Sequence, residues 1–215
     1  MSVCQFLHER LRELPRFKAD YDPQEIPENG LYFVFERDEA AHNGERIVRV
    51  GTHTGQNNLP KRLKEHLYTM NKDRSIFRKH VGRCLLARLD DQFLEAWDID
   101  LTTRQARAKF EHLVDKKRLG EVEQEVSAYM NANFSFVVLR VDNKADRLAA
   151  ESGILSVIAA CGGCRASDSW LGQYHPNAAI RESGLWNIQG LNDAPITQAF
   201  AERLISAEVL YRTGA

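Results

Sequence analysis

The sequence predicts an α+β fold, three short strands set among helices rather than alternating βαβ units. Three observations carry that expectation. The dense apolar runs Leu31–Phe35 and Ile47–Val50 flank a polar stretch containing Asn43-Gly44, which reads as a hairpin. A third run, Phe134–Val141, lies far downstream. Most of the remaining chain repeats its apolar residues at helical spacing. With 215 residues, 43% hydrophobic and 27% charged, the chain can bury a core without staples, and its composition excludes a disordered or fibrous protein.

In chain order, residues 2–14 read as an amphipathic helix with Phe6, Leu7, Leu11 and Leu14 inward, stopped by Pro15. Residues 15–30 contain three prolines and end in Asn-Gly, so they form a loop before the hairpin. After Gly51 and a polar loop, Asn57 or Asn58 can cap a helix running to about Asn71, with Pro60 in its first turn and Leu59, Leu63, Leu67 and Met70 as its apolar stripe. Ser75 can cap the next, where Phe77, Val81, Cys84 and Leu85 share a face. Residues 90–131 predict one or two surface helices broken near Gly120. The third strand leads into a helix from about Asp146 to Ala160, ended by Cys161-Gly-Gly-Cys164. Residues 165–194 look loop-like, and Pro195–Arg212 forms a terminal helix.

No window approaches 18 uncharged apolar residues, and the charged N-terminal segment lacks the apolar stretch of a secretion signal. The expected address is therefore the cytoplasm, with no membrane partner and with the four cysteines reduced. One CxxC without a second pair is weak evidence for zinc, and at the end of a helix it lacks the environment that activates a redox thiol.

The formal charge of −1 hides an asymmetry. Between Arg46 and Arg88 eleven Lys or Arg face only Glu65 and Asp73, a net +9, which leaves −10 for the rest. Such a block suits a polyanion-binding face; the plainer reading is a set of cations paired with acids elsewhere in the fold. Two helix positions add chemistry. Arg62 and His66, one turn apart, can together meet a phosphate, as a fork of donors and a group that exchanges protons near neutral pH. Glu151 falls inside the apolar stripe of its helix with Leu148, Leu155 and Ile158, where an unpaired carboxylate is costly. It needs a cation, such as Arg62 in a salt bridge, a metal facing a cleft, or an opening to water.

This order of elements resembles the GIY-YIG nuclease superfamily at Gly30-Leu31-Tyr32, at Arg49-Val50-Gly51, at Leu63 flanked by Arg62 and His66, and at Glu151. The longer string RVGTHT…RLKEH…SIFRKHVG looks like a bacterial subgroup. The resemblance implies a small three-stranded antiparallel sheet flanked by helices, in a single domain over 1–215. Its core would be 28–89 and 133–160, with a helical insertion over 90–131 and a C-terminal extension over 161–215. It also implies that Glu151 binds one Mg²⁺ or Mn²⁺, that Arg62 neutralises the phosphate with help from Arg49, and that nucleic acid, DNA first, is cleaved at one active site per chain. Arg49 stands where the family has the tyrosine of YIG, so the water-activating base falls to Tyr32, His53 or His66. The family's late asparagine has only Asn177 or Asn187 as a counterpart. Lys61, Lys64, Arg78 and Lys79 are expected to track the phosphate backbone, and cutting both strands calls for a homodimer. The rival expectation is a module on the same scaffold that binds nucleic acid without cutting it.

Overall fold

The computed structural model describes residues 1–213, with side chains through Glu208. Its order is α1 (Val3–Arg12), β1 (Gly30–Ala41), β2 (Gly44–Gly51), α2 (Leu59–Leu67), α3 (Ile76–Arg88), α4 (Phe93–Asp98), α5 (Arg104–Phe110), α6 (Lys116–Asn133), β3 (Phe134–Arg140), α7 (Lys144–Ala159), α8 (Ala178–Ser183) and α9 (Gln198–Thr213). The strands form one antiparallel sheet in the order β2-β1-β3, with Tyr32 paired to Gly51 on one side and Val138 on the other.

Helices cover both faces of that sheet, so its strands read as continuous apolar runs rather than as an alternation. Tyr32, Val34 and Val138 point toward Leu63 of α2, Phe77 and Val81 of α3, and Val126 of α6. Leu31, Phe33 and Val137 point the other way, toward Leu7 and Leu11 of α1, Ile154 and Ile158 of α7, and Ile205 of α9.

β1 runs well past Phe35, and the hairpin closes at His42 and Asn43, whose φ values of 49° and 59° make a two-residue turn of the type that matches strand twist. The sequence hid this length because Glu36-Arg37-Asp38-Glu39 is polar, yet Glu36 and Glu39 are buried on tertiary partners. Helix α2 ends at Leu67, so Met70 lies outside it and is 56% exposed, against the expected stripe. α6 runs unbroken through Gly120. Asp115 caps it by accepting from the Lys117 and Arg118 N–H groups, and burial of Val122, Val126 and Met130 outweighs a glycine cost of about 1 kcal/mol. The stretch 165–194 contains α8 and a 3₁₀ turn over 171–174, so it is more ordered than a loop. Leu148, placed on the stripe with Glu151, is 46% exposed, whereas Leu155 and Ile158 are buried. Among the described residues no helix is long and apolar enough to cross a membrane.

Candidate active site

The open end of the hairpin, where β1 starts and β2 stops, positions the site. Backbones and rings meet there too closely for side chains at the two motif glycines. A Cβ on Gly30 would sit 2.3 Å from the Leu139 carbonyl oxygen, and one on Gly51 would sit 2.2 Å from the Tyr32 hydroxyl. Gly51 thus makes room for the phenol of its cross-strand partner.

Tyr32 is almost fully buried, and its hydroxyl lies 2.8 Å from His66 Nε2 and accepts from Arg49 Nε at 3.3 Å. His66 Nδ1 is 2.6 Å from Ser75 Oγ, which also accepts the Arg78 N–H as the cap of α3. Burial, reinforced by Arg62, Arg49 and Arg78, pushes the His66 pKa well down, so the ring is neutral. Arg49 donates to the Trp186 carbonyl and lies over the Phe77 ring at 4.8 Å.

In front of this network lies a cleft of about 780 Å³, lined by Arg49, His53, Arg62, His80, Glu151 and Asn187 among others. Glu151 is half-buried. Its Oε1 accepts the Thr52 N–H at 3.1 Å, and burial raises its pKa against the pull of Arg49, that N–H, Arg62 and Arg147. The expected salt bridge to Arg62 does not form. Arg62 instead pairs with Glu65 at 3.3 Å and donates to the Arg74 carbonyl. Glu151 therefore has no ion-pair partner within 4.0 Å among the described residues. A carboxylate without an ion-pair partner in a cleft of this size, with Asp193 on the same wall, fits a hard divalent ion that keeps most of its water.

The three candidate bases are placed differently. His53 alone lines the cleft; its Nε2 accepts the Gly30 N–H at 3.3 Å, and its Nδ1 has no partner. Burial, with Arg147, lowers its pKa. Tyr32 and His66 stand one layer behind, beyond Arg49. Asn187 is on the cleft wall, hydrogen-bonded to both backbone groups of Val50, whereas Asn177 caps α8. His80 was not singled out from the sequence. It reaches the cleft 2.9 Å from His175, and burial and that neighbour drive its pKa down to about 2. Only the packing of helix α3 against the 3₁₀ turn over 171–174 creates this position, so no local signal could have found it.

The basic block is mostly spoken for. Arg78 is fully buried and donates through two nitrogens to Glu123, and Lys79 is buried and donates to the Asp98 carbonyl. Neither can track a phosphate backbone as expected, because each sits among partners that compensate its burial. Arg46 pairs with Glu39, and Arg83 with Asp98. Lys61 and Lys64 do lie on the exposed face of α2.

A three-stranded antiparallel sheet flanked by helices, with this cleft at the open end of its hairpin, is the α+β fold of a nuclease-type domain. The chain belongs to the GIY-YIG family: the family model, described as the GIY-YIG domain, matches residues 2–208. Members of that family are generally endonucleases acting on nucleic acid. No curated protein and no solved structure matches the chain.

Proposed function

We propose that this protein is a metal-dependent endonuclease that hydrolyses phosphodiester bonds, DNA being the substrate of first choice, with one active site per chain. The observation that carries this reading is Glu151, a half-buried carboxylate facing the cleft with no cation of its own. Glu151 would hold one Mg²⁺ or Mn²⁺, which when bound polarises the scissile phosphate and stabilises the leaving oxygen. Arg62 and Arg49, both on the cleft wall, bind and orient the non-bridging oxygens and neutralise the charge that grows on them. The water-activating base is one of Tyr32, His53 and His66, and His53 is the one of the three on the cleft wall. Tyr32 and His66 stand behind Arg49, hydrogen-bonded to each other, with Arg49 Nε–H donating to the Tyr32 hydroxyl and Ser75 Oγ holding the far side of the imidazole. Lys61 and Lys64 extend the cationic surface along the substrate, and Asn187 braces the end of β2. The catalytic core is 28–89 and 133–160, and a second copy of the chain would supply the second cut.

One observation favours the rival reading, a binding module that does not cut: Tyr32 lies behind Arg49 rather than on the cleft wall. Purified protein incubated with supercoiled plasmid and Mg²⁺ separates the two. The nuclease nicks or linearises the plasmid and stops doing so with EDTA; the module only retards the band.

A further inference from the structure

The far end of the hairpin holds a second cluster, separate from the cleft. Cys4 and His8 come from α1, His42 from the β1–β2 turn, and Cys164 from the turn after α7; their donor atoms all lie within 4.8 Å of one another. Cys4 and Cys164 are buried, their sulfurs 3.3 Å apart. That is well beyond the roughly 2.05 Å of a disulfide. His42 Nε2 lies 3.3 Å from Cys164 Sγ and 3.5 Å from Cys161 Sγ. These separations lie at or up to a few tenths of an ångström inside the roughly 3.5–3.8 Å edges of a tetrahedral zinc centre with bonds of about 2.0–2.3 Å.

We infer that Cys4, Cys161, Cys164 and His42 bind one structural Zn²⁺. Four ligands must be chosen from five neighbours, and hydrogen bonding decides. His8 donates Nδ1–H to the Cys4 carbonyl at 2.9 Å and accepts the Ile47 N–H on Nε2 at 3.1 Å, so its one ring lone pair is not free for a metal. His42 Nε2 has only the sulfurs around it, and Cys161, beside Cys164 in the Cys-Gly-Gly-Cys turn, faces the same nitrogen. The thiols lose their protons to solvent as the ion binds, and the four-coordinate centre leaves no open position for catalysis. Its consequence is mechanical. The metal ties α1 and the hairpin turn to the C-terminal end of α7, the helix that carries Glu151.

The test uses the full-length chain purified without chelators. Mass-spectrometric metal analysis is expected to find one zinc per chain. Replacement by Co²⁺ is expected to give the visible bands and thiolate charge transfer of a tetrahedral site with three sulfurs. Cys161→Ser should weaken Zn²⁺ binding by more than about 100-fold, whereas His8→Gln should cost no more than the roughly 10–100-fold of a lost supporting contact. Chelation should lower Tm, and Zn²⁺ should restore it, whether or not the protein cleaves DNA. A reduced wild-type chain that stays metal-free after refolding with Zn²⁺ overturns the inference. So does a Cys4–Cys164 disulfide in freshly isolated protein, or full zinc affinity in Cys161→Ser.

Discussion

Two carboxylates on the sheet's surroundings, Glu36 and Glu151, are both raised in pKa by burial, yet their neighbourhoods differ. Glu36 accepts from three neutral donors: Trp170 Nε1 at 2.7 Å, Trp186 Nε1 at 3.0 Å and the Tyr129 hydroxyl. These donors come from α6 and from the segment after α7, so Glu36 fastens both to the middle of β1. Glu151 has a single backbone donor and a cleft in front of it. A buried acid surrounded by donors holds a fold together; one left short of partners beside solvent is available to a ligand.

Substitution should separate the two roles. Glu151→Gln is expected to cut plasmid cleavage by at least about 100-fold, the scale of losing one group that stabilises the transition state, while band retardation persists and Tm is unchanged or slightly higher. Undiminished cleavage would remove Glu151 from the chemistry. Glu36→Ala should do the reverse. It strands three buried donors and is expected to lower unfolding stability by about 3 kcal/mol in urea titration, with cleavage per folded molecule little altered. An unchanged midpoint would mean that the indoles find other acceptors.

Acidification comes next in size. His53, His66, His80 and His175 all have pKa values lowered chiefly by burial, His175 to about 4. Unfolded, each binds a proton below about 6.5; folded, it does not. Stability present at pH 7 is therefore lost as pH falls through 6.5 toward 4, at about 1.4 kcal/mol per pH unit for each proton taken up. Urea midpoints measured between pH 7 and 5 should fall, and a flat profile would contradict the neutral, buried His66 behind the cleft. The smallest effects belong to α2. Lys61→Ala and Lys64→Ala should each weaken DNA binding modestly and reduce the salt slope by about one, without changing Tm. Arg78→Ala, in contrast, should destabilise the protein by removing the partner of Glu123.

Local chemistry made much of this protein legible. The Leu31–Phe35 and Ile47–Val50 runs, the Ser75 cap and the Phe77, Val81, Cys84 and Leu85 face all appear where short-range rules put them. Glu151 announced itself as a charge on an apolar stripe. What local rules missed depends on distant partners. Met70 looked like core because its spacing fits, but the helix had already ended. Arg78 and Lys79 looked like a surface because nothing nearby neutralises them, although Glu123 and the Asp98 carbonyl do so from α6 and α4. Cys161 and Cys164 looked like half a metal site because the rest of the donors lie far away in the chain.

By itself the sequence determined the order of strands and helices, the glycines that let the hairpin's open end close up, and the carboxylate that has no place in a core. Those features are set by neighbours a few residues apart, where propensity, capping and side-chain period act directly. Only the tertiary structure decided which charges are compensated and which face solvent. The same fold decides that the cysteines converge with His42. Compensation is a matter of distances of a few ångströms between residues as far apart in sequence as Cys4 and Cys164, and folding alone brings them within reach.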